Sequence, residues 1–280
     1  MPSLLNREVT QFCRRSISVI GLALLSLNAA SVYAQEATKS EPIATDRPDF
    51  VESGQVVGKG RFQFETGLNF DRSKVDGVTL KSLSNSALLR FGIAESLEFR
   101  IETDGFIRAT ASGVGTSLSQ NGFGDTALGV KWQMQDSDEA SGRPAIAWLV
   151  HADMASGSKE FRGQGTRPSI RAVFEWELAD DASFGVMPGI VLNRNDDGKR
   201  YNVGILAATY SRPLADGWRG FVEVSGQQLQ SRANGGNVTT FDFGVSHLIS
   251  NDVQVDAWVS KGLSKAAPTI AAGVGFAIRF

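Results

Sequence analysis

The side chains able to do chemistry in this sequence are mainly ionic, and they recur at every second position. Arg90, Glu98, Arg100, Glu102, Asp104 and Arg108 occupy two neighbouring segments; Asp125 and Lys131 follow, then His151, Arg171 and Glu175. Charges of both signs on one face can neutralise one another as a ladder, or select solutes by charge where they line a constriction. A second group, Asp46, Arg47 and Asp49 around Pro48, lies in a stiff, charged stretch with few apolar residues. That stretch can enter a lumen as a plug that pairs with wall charges, or stay outside as a tether. His151 has Asp153 two positions on and Ser156 nearby, which admits a hydrolase whose serine is activated by the imidazole. Such chemistry needs the pair within hydrogen-bond reach, and a polar wall residue is the plainer reading. Asn195-Asp196-Asp197-Gly198 has too few oxygens for a calcium site and reads as turn chemistry. The glycines at 113, 115, 122 and 124, and at 157, 163 and 165, lack the strand-then-helix setting of a phosphate loop. No catalytic residue, metal or cofactor is expected.

The elements that must carry these residues begin after an export signal. Of 280 residues, 1–34 contain Arg7, Arg14 and Arg15, an apolar run from Ile17 to Ala30, and Val32-Tyr33-Ala34 before a cleavage point. Cleavage there removes the only cysteine, Cys13, and leaves a net charge of about minus 4. A mature chain without a thiol excludes disulfides, cysteine-ligated zinc and thiol catalysis. It carries no basic cluster, so nucleic acid is not an expected partner. After Ala34 no run approaches the ~18 apolar residues of a membrane-crossing helix.

Two-residue alternation recurs instead, in segments of about ten residues. Residues 61–70 set Phe62, Phe64, Thr66, Leu68 and Phe70 against Arg61, Gln63, Glu65, Gly67 and Asn69. The same pattern returns at 80–92, 97–108, 124–134, 145–154, 168–178, 183–193, 201–211, 219–229, 239–249, 253–261 and 269–280, giving twelve strands. Pro188 weakens one of them, because a closed barrel has no edge where a missing donor goes unnoticed. Connections 71–79, 109–123, 155–167, 194–200, 230–238 and 262–268 are mostly longer than the intervening 93–96, 179–182, 212–218 and 250–252, with 135–144 the exception. Long outer loops alternating with short inner turns are the rule for outer-membrane barrels. Phe62, Phe91, Phe99, Trp132, Trp148, Trp176, Phe184, Tyr210, Trp218 and Phe280 fall where strands meet the inner interface, as an aromatic girdle.

One oily face and one charged face need hydrocarbon outside and water or paired charge inside, and closure satisfies every strand edge. The expectation is therefore an all-β, transmembrane antiparallel β-barrel of about twelve strands, of the bacterial outer-membrane type. A soluble sandwich or lipocalin-like barrel, which packs its apolar face inward, is the alternative. The domains expected are a signal peptide at 1–34, a periplasmic or luminal segment at 35–58 and the barrel at 59–280. The bore should be narrow, between filled eight-strand barrels and open porins.

TDRPDF at Thr45–Phe50 with the following VESGQVVGKGRFQFETGLNF, LLRFGIAESLEFRIETDGF at 88–106 and GFGDTALGVKW at 122–132 together resemble the outer-membrane family described as "putative MetA-pathway of phenol degradation". Phe280, with Ile278, Phe276 and Val274 before it, is similar to the C-terminal signal read by the barrel assembly machinery. The resemblance implies passive passage of small organic compounds, aromatic ones among them, across the outer membrane, with lipid and the assembly machinery as partners. A structural or adhesive barrel without a pore, or a lipid hydrolase, remains open at this stage.

Overall fold

The computed structural model describes residues 41–75, 77–113, 116–195 and 197–280; the signal sequence, residues 35–40 and Asp196 of the Asn-Asp-Asp-Gly turn lie outside them. Strand segments run as β1 (Phe62–Val75), β2 (Val78–Ala94), β3 (Leu97–Thr103), β4 (Phe106–Gly113), β5 (Thr116–Phe123), β6 (Thr126–Gln135) and β7 (Ala145–Met154). They continue as β8 (Arg167–Leu178), β9 (Ala182–Arg194), β10 (Arg200–Ala215), β11 (Trp218–Leu229), β12 (Val238–Ser250), β13 (Val253–Gly262) and β14 (Ile270–Arg279). β3 and β4 both pair with β2, while β6 pairs with β3 and β5 with β4, so β3/β4 and β5/β6 are two staves, each interrupted once. The result is a closed antiparallel barrel of twelve staves, sealed where β1 meets β14 from Gln63↔Arg279 to Arg72↔Ile270.

The period-2 pattern sets the wall as expected. Leu68, Val150, Leu206, Val224 and Val274 are among the outward apolar residues more than half exposed, whereas Gln63, Glu65, Arg90, Glu98, Arg100 and Lys131 are buried on the inner face. A row of aromatics rings the end with short turns, here called the inner end. Phe62 is in register with Phe91, Phe91 with Phe99, Trp132 with Trp148, and Trp176 with Phe184 and then Tyr210. Phe280 joins the row, its ring centroid 6.2 Å from that of Phe62.

Three details depart from the sequence expectation. Residues 71–75, 78–79, 109–113 and 116–123 are not loops: β1 and β2 stay paired out to Val75↔Val78, and β4 and β5 out to Gly113↔Thr116, past the rim. Their Ser/Thr/Gly content hid the strand, because above the membrane neither face has to be apolar. Pro188 sits inside an unbroken β9, and the ladder to β8 is interrupted at that point, between Arg171↔Gly189 and Phe174↔Val186. The missing donor is thus matched by a missing rung. Finally, Arg108 does not face the lumen. The β2–β3 register (Ala87↔Thr103) slips by one residue relative to β2–β4 (Leu83↔Arg108) at Asp104-Gly105, where Gly105 has φ 62°. One inserted residue reverses which side chains face outward, so Arg108 is exposed beside the outward Leu83.

Candidate functional site

The barrel interior is occupied by the chain's own N-terminal stretch, Ile43 to Gly58. Its backbone amides donate to side chains of the wall: Asp46 to Glu65, Phe50 and Val51 to Glu223, Gly54 to Glu175, Val56 to Gln133 and Val57 to Glu98, all at 2.8–3.2 Å. In the other direction, Arg90 donates to the carbonyls of Ala44 (2.8 Å) and Gln55 (2.9 Å), and Gln63 to that of Ala44 (2.9 Å). An extended peptide without a sheet partner would leave these groups unsatisfied when buried, and the inward Glu and Arg residues take the place of a neighbouring strand.

Glycines in the wall make the space. A Cβ at Gly67 would fall 2.6 Å from the Arg47 guanidinium carbon, one at Gly275 would collide with the same group, and one at Gly185 would come within 3.0 Å of Val51 Cγ1. Arg47 in turn reaches Asp256, with Nη2 to Oδ1 at 3.1 Å.

The ionic centre is built around Asp46. Its carboxylate accepts from Arg100 at 2.6 Å and Lys131 at 2.9 Å, and lies 3.5 Å from Arg90. Burial alone would push this carboxyl up; Arg90, Lys131 and Arg100 overcome that and hold it well below the ordinary carboxylate range. The network spreads outward: Arg90 to Glu98 (2.8 Å) and Glu65 (3.1 Å), Arg100 to Glu98 (3.1 Å), Glu102 (2.8 Å) and Glu52 (2.9 Å), and Arg171 to Glu52 (2.6 Å). Asp49 is different. Burial raises its carboxyl to about 7 against hydrogen bonds from its own backbone and the Thr209 hydroxyl, with Glu175 and Asp46 adding repulsion.

On the outer side of the segment lies a cavity of about 570 Å³ lined by Arg47, Asp49, Phe50, Glu102, Asp104 and Arg194 among others. Connection 155–166 reaches over it with Phe161, Arg162 and Gln164. Asp125 anchors that connection, accepting from the amides of Gly157 and Gly163 (2.9 Å each) and from Arg167 (2.8 Å).

The structure therefore gathers Arg90, Glu98, Arg100, Lys131, Arg171 and Glu175 around the segment that contains Asp46, Arg47 and Asp49, puts Glu102, Asp104 and Asp125 around the cavity, and leaves Arg108 outside. Sequence reading did not single out Glu52, Glu65, Glu223 or Asp256, nor the inward apolar residues Leu149, Val173, Met187 and Val191. For the last group a signal existed: Ala147-Trp148-Leu149-Val150 and Val186–Leu192 are apolar at odd and even positions alike.

His151 lies buried at the inner face, with Nε2 3.1 Å from Glu102 Oε1. Ser156 is engaged elsewhere, accepting from the Thr126 amide and donating to the Met154 carbonyl. The imidazole-to-hydroxyl bond that nucleophile activation needs is not formed. Among the described residues no group of three or more His, Cys, Asp or Glu is arranged to hold a metal ion.

A closed wall with oil-facing exterior, an ion-lined interior and an extended segment along the lumen define a β-barrel of the outer-membrane class. The chain belongs to the family described as "Putative MetA-pathway of phenol degradation", which matches residues 45–280. In fold it is similar to the COG4313 outer membrane channel from Pseudomonas putida F1, at 11% identity and a TM-score of 0.61, covering 81% of this chain and 98% of that one. It is also similar to the β domain of the Bordetella autotransporter BrkA (12% identity, TM-score 0.48, 79% and 100% covered) and to the KdgM porin (13%, 0.46, 76% and 99%). No curated protein matches the sequence.

Proposed function

We propose that this protein is a channel of the bacterial outer membrane, exported by a signal sequence cleaved after Ala34. It passes small organic compounds, aromatic ones included, and is closed in this state by residues 43–58. The observation that carries the reading is the fit between segment and wall: inward Glu175 and Glu223 receive amides of the segment and, among the described residues, form no ion pair with the wall, where a merely stabilising ladder would pair with its own neighbours. A wall arranged to hold a removable strand implies a second state in which the strand has left. The family description supports small aromatic compounds as the solute class.

The test is planar-bilayer conductance of the mature protein beside a variant lacking residues 35–56. The full chain is expected to give rare, brief openings and the variant a steady current. If both are silent, and liposomes containing the variant do not swell in solutions of small organic solutes, the barrel is structural or adhesive and the channel reading fails.

A further inference from the structure

The inner wall is not uniformly polar. Ala147 and Leu149 of β7, Val173 of β8, Met187 of β9 and Ile205 and Ala207 of β10 point inward and form one apolar cluster with Val51, all of it at most 5% exposed. A water-filled bore gains nothing from such a surface, which would be costly to leave wet. Its cover is supplied by the N-terminal segment: Val51 fills it and Phe50 packs against it. Phe50 also lines the outer cavity. At the same point of the segment the two oxygens of Glu223 accept the backbone amides of Phe50 (3.0 Å) and Val51 (2.8 Å).

With the segment withdrawn, the wall at this level would offer the apolar patch that Val51 and Phe50 now cover, bordered by a carboxylate whose two donors have gone. That is the complement of a single ring bearing a hydroxyl: the ring lies on Leu149, Met187 and Val191, and the hydroxyl donates to Glu223. We propose that Phe50 is the resident occupant of a binding site for small hydroxylated aromatic solutes. Such a solute, entering through the outer cavity, competes with Phe50 for this site and so favours release of the segment. The proposal rests on the channel reading for its biological sense. Solute and docked segment exclude one another, so the apparent affinity is lowered by the fraction of barrels in which Phe50 is docked.

The test is calorimetric titration of phenol into the full-length mature protein in detergent, with toluene as the ring that lacks a donor. Removing the occupant with Phe50→Ala should tighten phenol binding about tenfold, with Phe50→Leu intermediate. In the Phe50→Ala background Glu223→Gln should lose most of the preference for phenol over toluene. Phenol should also accelerate cleavage after Glu52, buried in the docked segment, by a glutamyl endopeptidase in the wild-type chain. Equal or weaker phenol binding in both Phe50 variants, or no effect of Glu223→Gln on that preference, overturns the proposal. These readouts need no current. A barrel that binds phenol as described but never conducts refutes the channel, whereas one that conducts without Phe50-dependent binding refutes only this site.

Discussion

Asp46 is the residue on which the docked segment depends most, because three buried cations of the wall converge on it and none has open water as an alternative. Replacing one partner of a buried ion pair leaves the other uncompensated, at a cost of about 3–5 kcal/mol. Asp46→Asn keeps the shape and removes the charge that Arg100 and Lys131 contact at 2.6 and 2.9 Å. The expected result is loss of docking with the barrel retained: faster cleavage after Glu52 by a glutamyl endopeptidase and more frequent openings, while the folded barrel still shifts on heating in gel electrophoresis. Asp49 makes the opposite contribution. Its carboxyl is raised to about 7 by burial, so the docked state holds a proton that the released segment, near 4, gives up. A raised acid pKa favours docking fully only below the released value, and that advantage is lost as pH rises through the docked value. Closed-state lifetime should therefore fall between about pH 4 and 7 and level off above. The groups that face Asp49 (Glu223 on β11, Glu175 on β8 and Asp46 within the segment) stay in place in Asp49→Asn, which should flatten most of this dependence in bilayer recordings made across that range. An unchanged slope in Asp49→Asn would assign the titration to the wall instead.

At the scale of elements, period-2 alternation was enough to find the staves because both solvents act on every one of them: hydrocarbon on Phe62, Leu68 and Phe70, a buried polar interior on Gln63 and Glu65. Where only one constraint applied, the pattern misled. Above the rim β4 and β5 meet water on the outside, so residues 109–123 look like a loop although they are paired from Phe106↔Phe123 to Gly113↔Thr116. The slip at Gly105 was invisible because a one-residue insertion leaves composition untouched while turning Arg108 from the inside to the outside. The segment at 43–58 could be read as stiff and charged, but not as docked, since its partners are spread over β1, β2, β3, β6, β8, β11 and β13 and only closure brings them together. Closure itself has a checkable seam. Phe280 and Phe62 exchange backbone hydrogen bonds at 2.8 and 3.2 Å, and their rings are in contact. Deleting Phe280 should lower the folded, heat-shifting fraction during assembly, both by opening this seam and by removing the residue proposed to be read by the assembly machinery. Phe280→Tyr keeps the ring and the backbone and should restore most of it.

For the molecule as a whole, the arrangement follows from which solvent each face meets. An outward apolar band stabilises the barrel only in hydrocarbon, and the inward charges are tolerated only because the segment and the wall neutralise one another. Leu206 tests the first half of this statement. It lies near the middle of β10, points outward and is 54% exposed. In a bilayer, Leu206→Arg places a guanidinium near the midplane, at a cost of about 2–4 kcal/mol, whereas an arginine near the interface, for example at Leu214 beyond the Tyr210 girdle position, costs about 0–1 kcal/mol. Equilibrium unfolding from phospholipid vesicles should therefore separate the two variants by a factor of at least about five in the folding constant. In a water-soluble barrel with the same exposure, both substitutions would be nearly neutral. The depth dependence, and not destabilisation alone, is what distinguishes lipid from water on the outer face. If Leu206→Arg and Leu214→Arg prove equally mild, the outer wall does not face hydrocarbon, and the lumen would have to be reassigned with it.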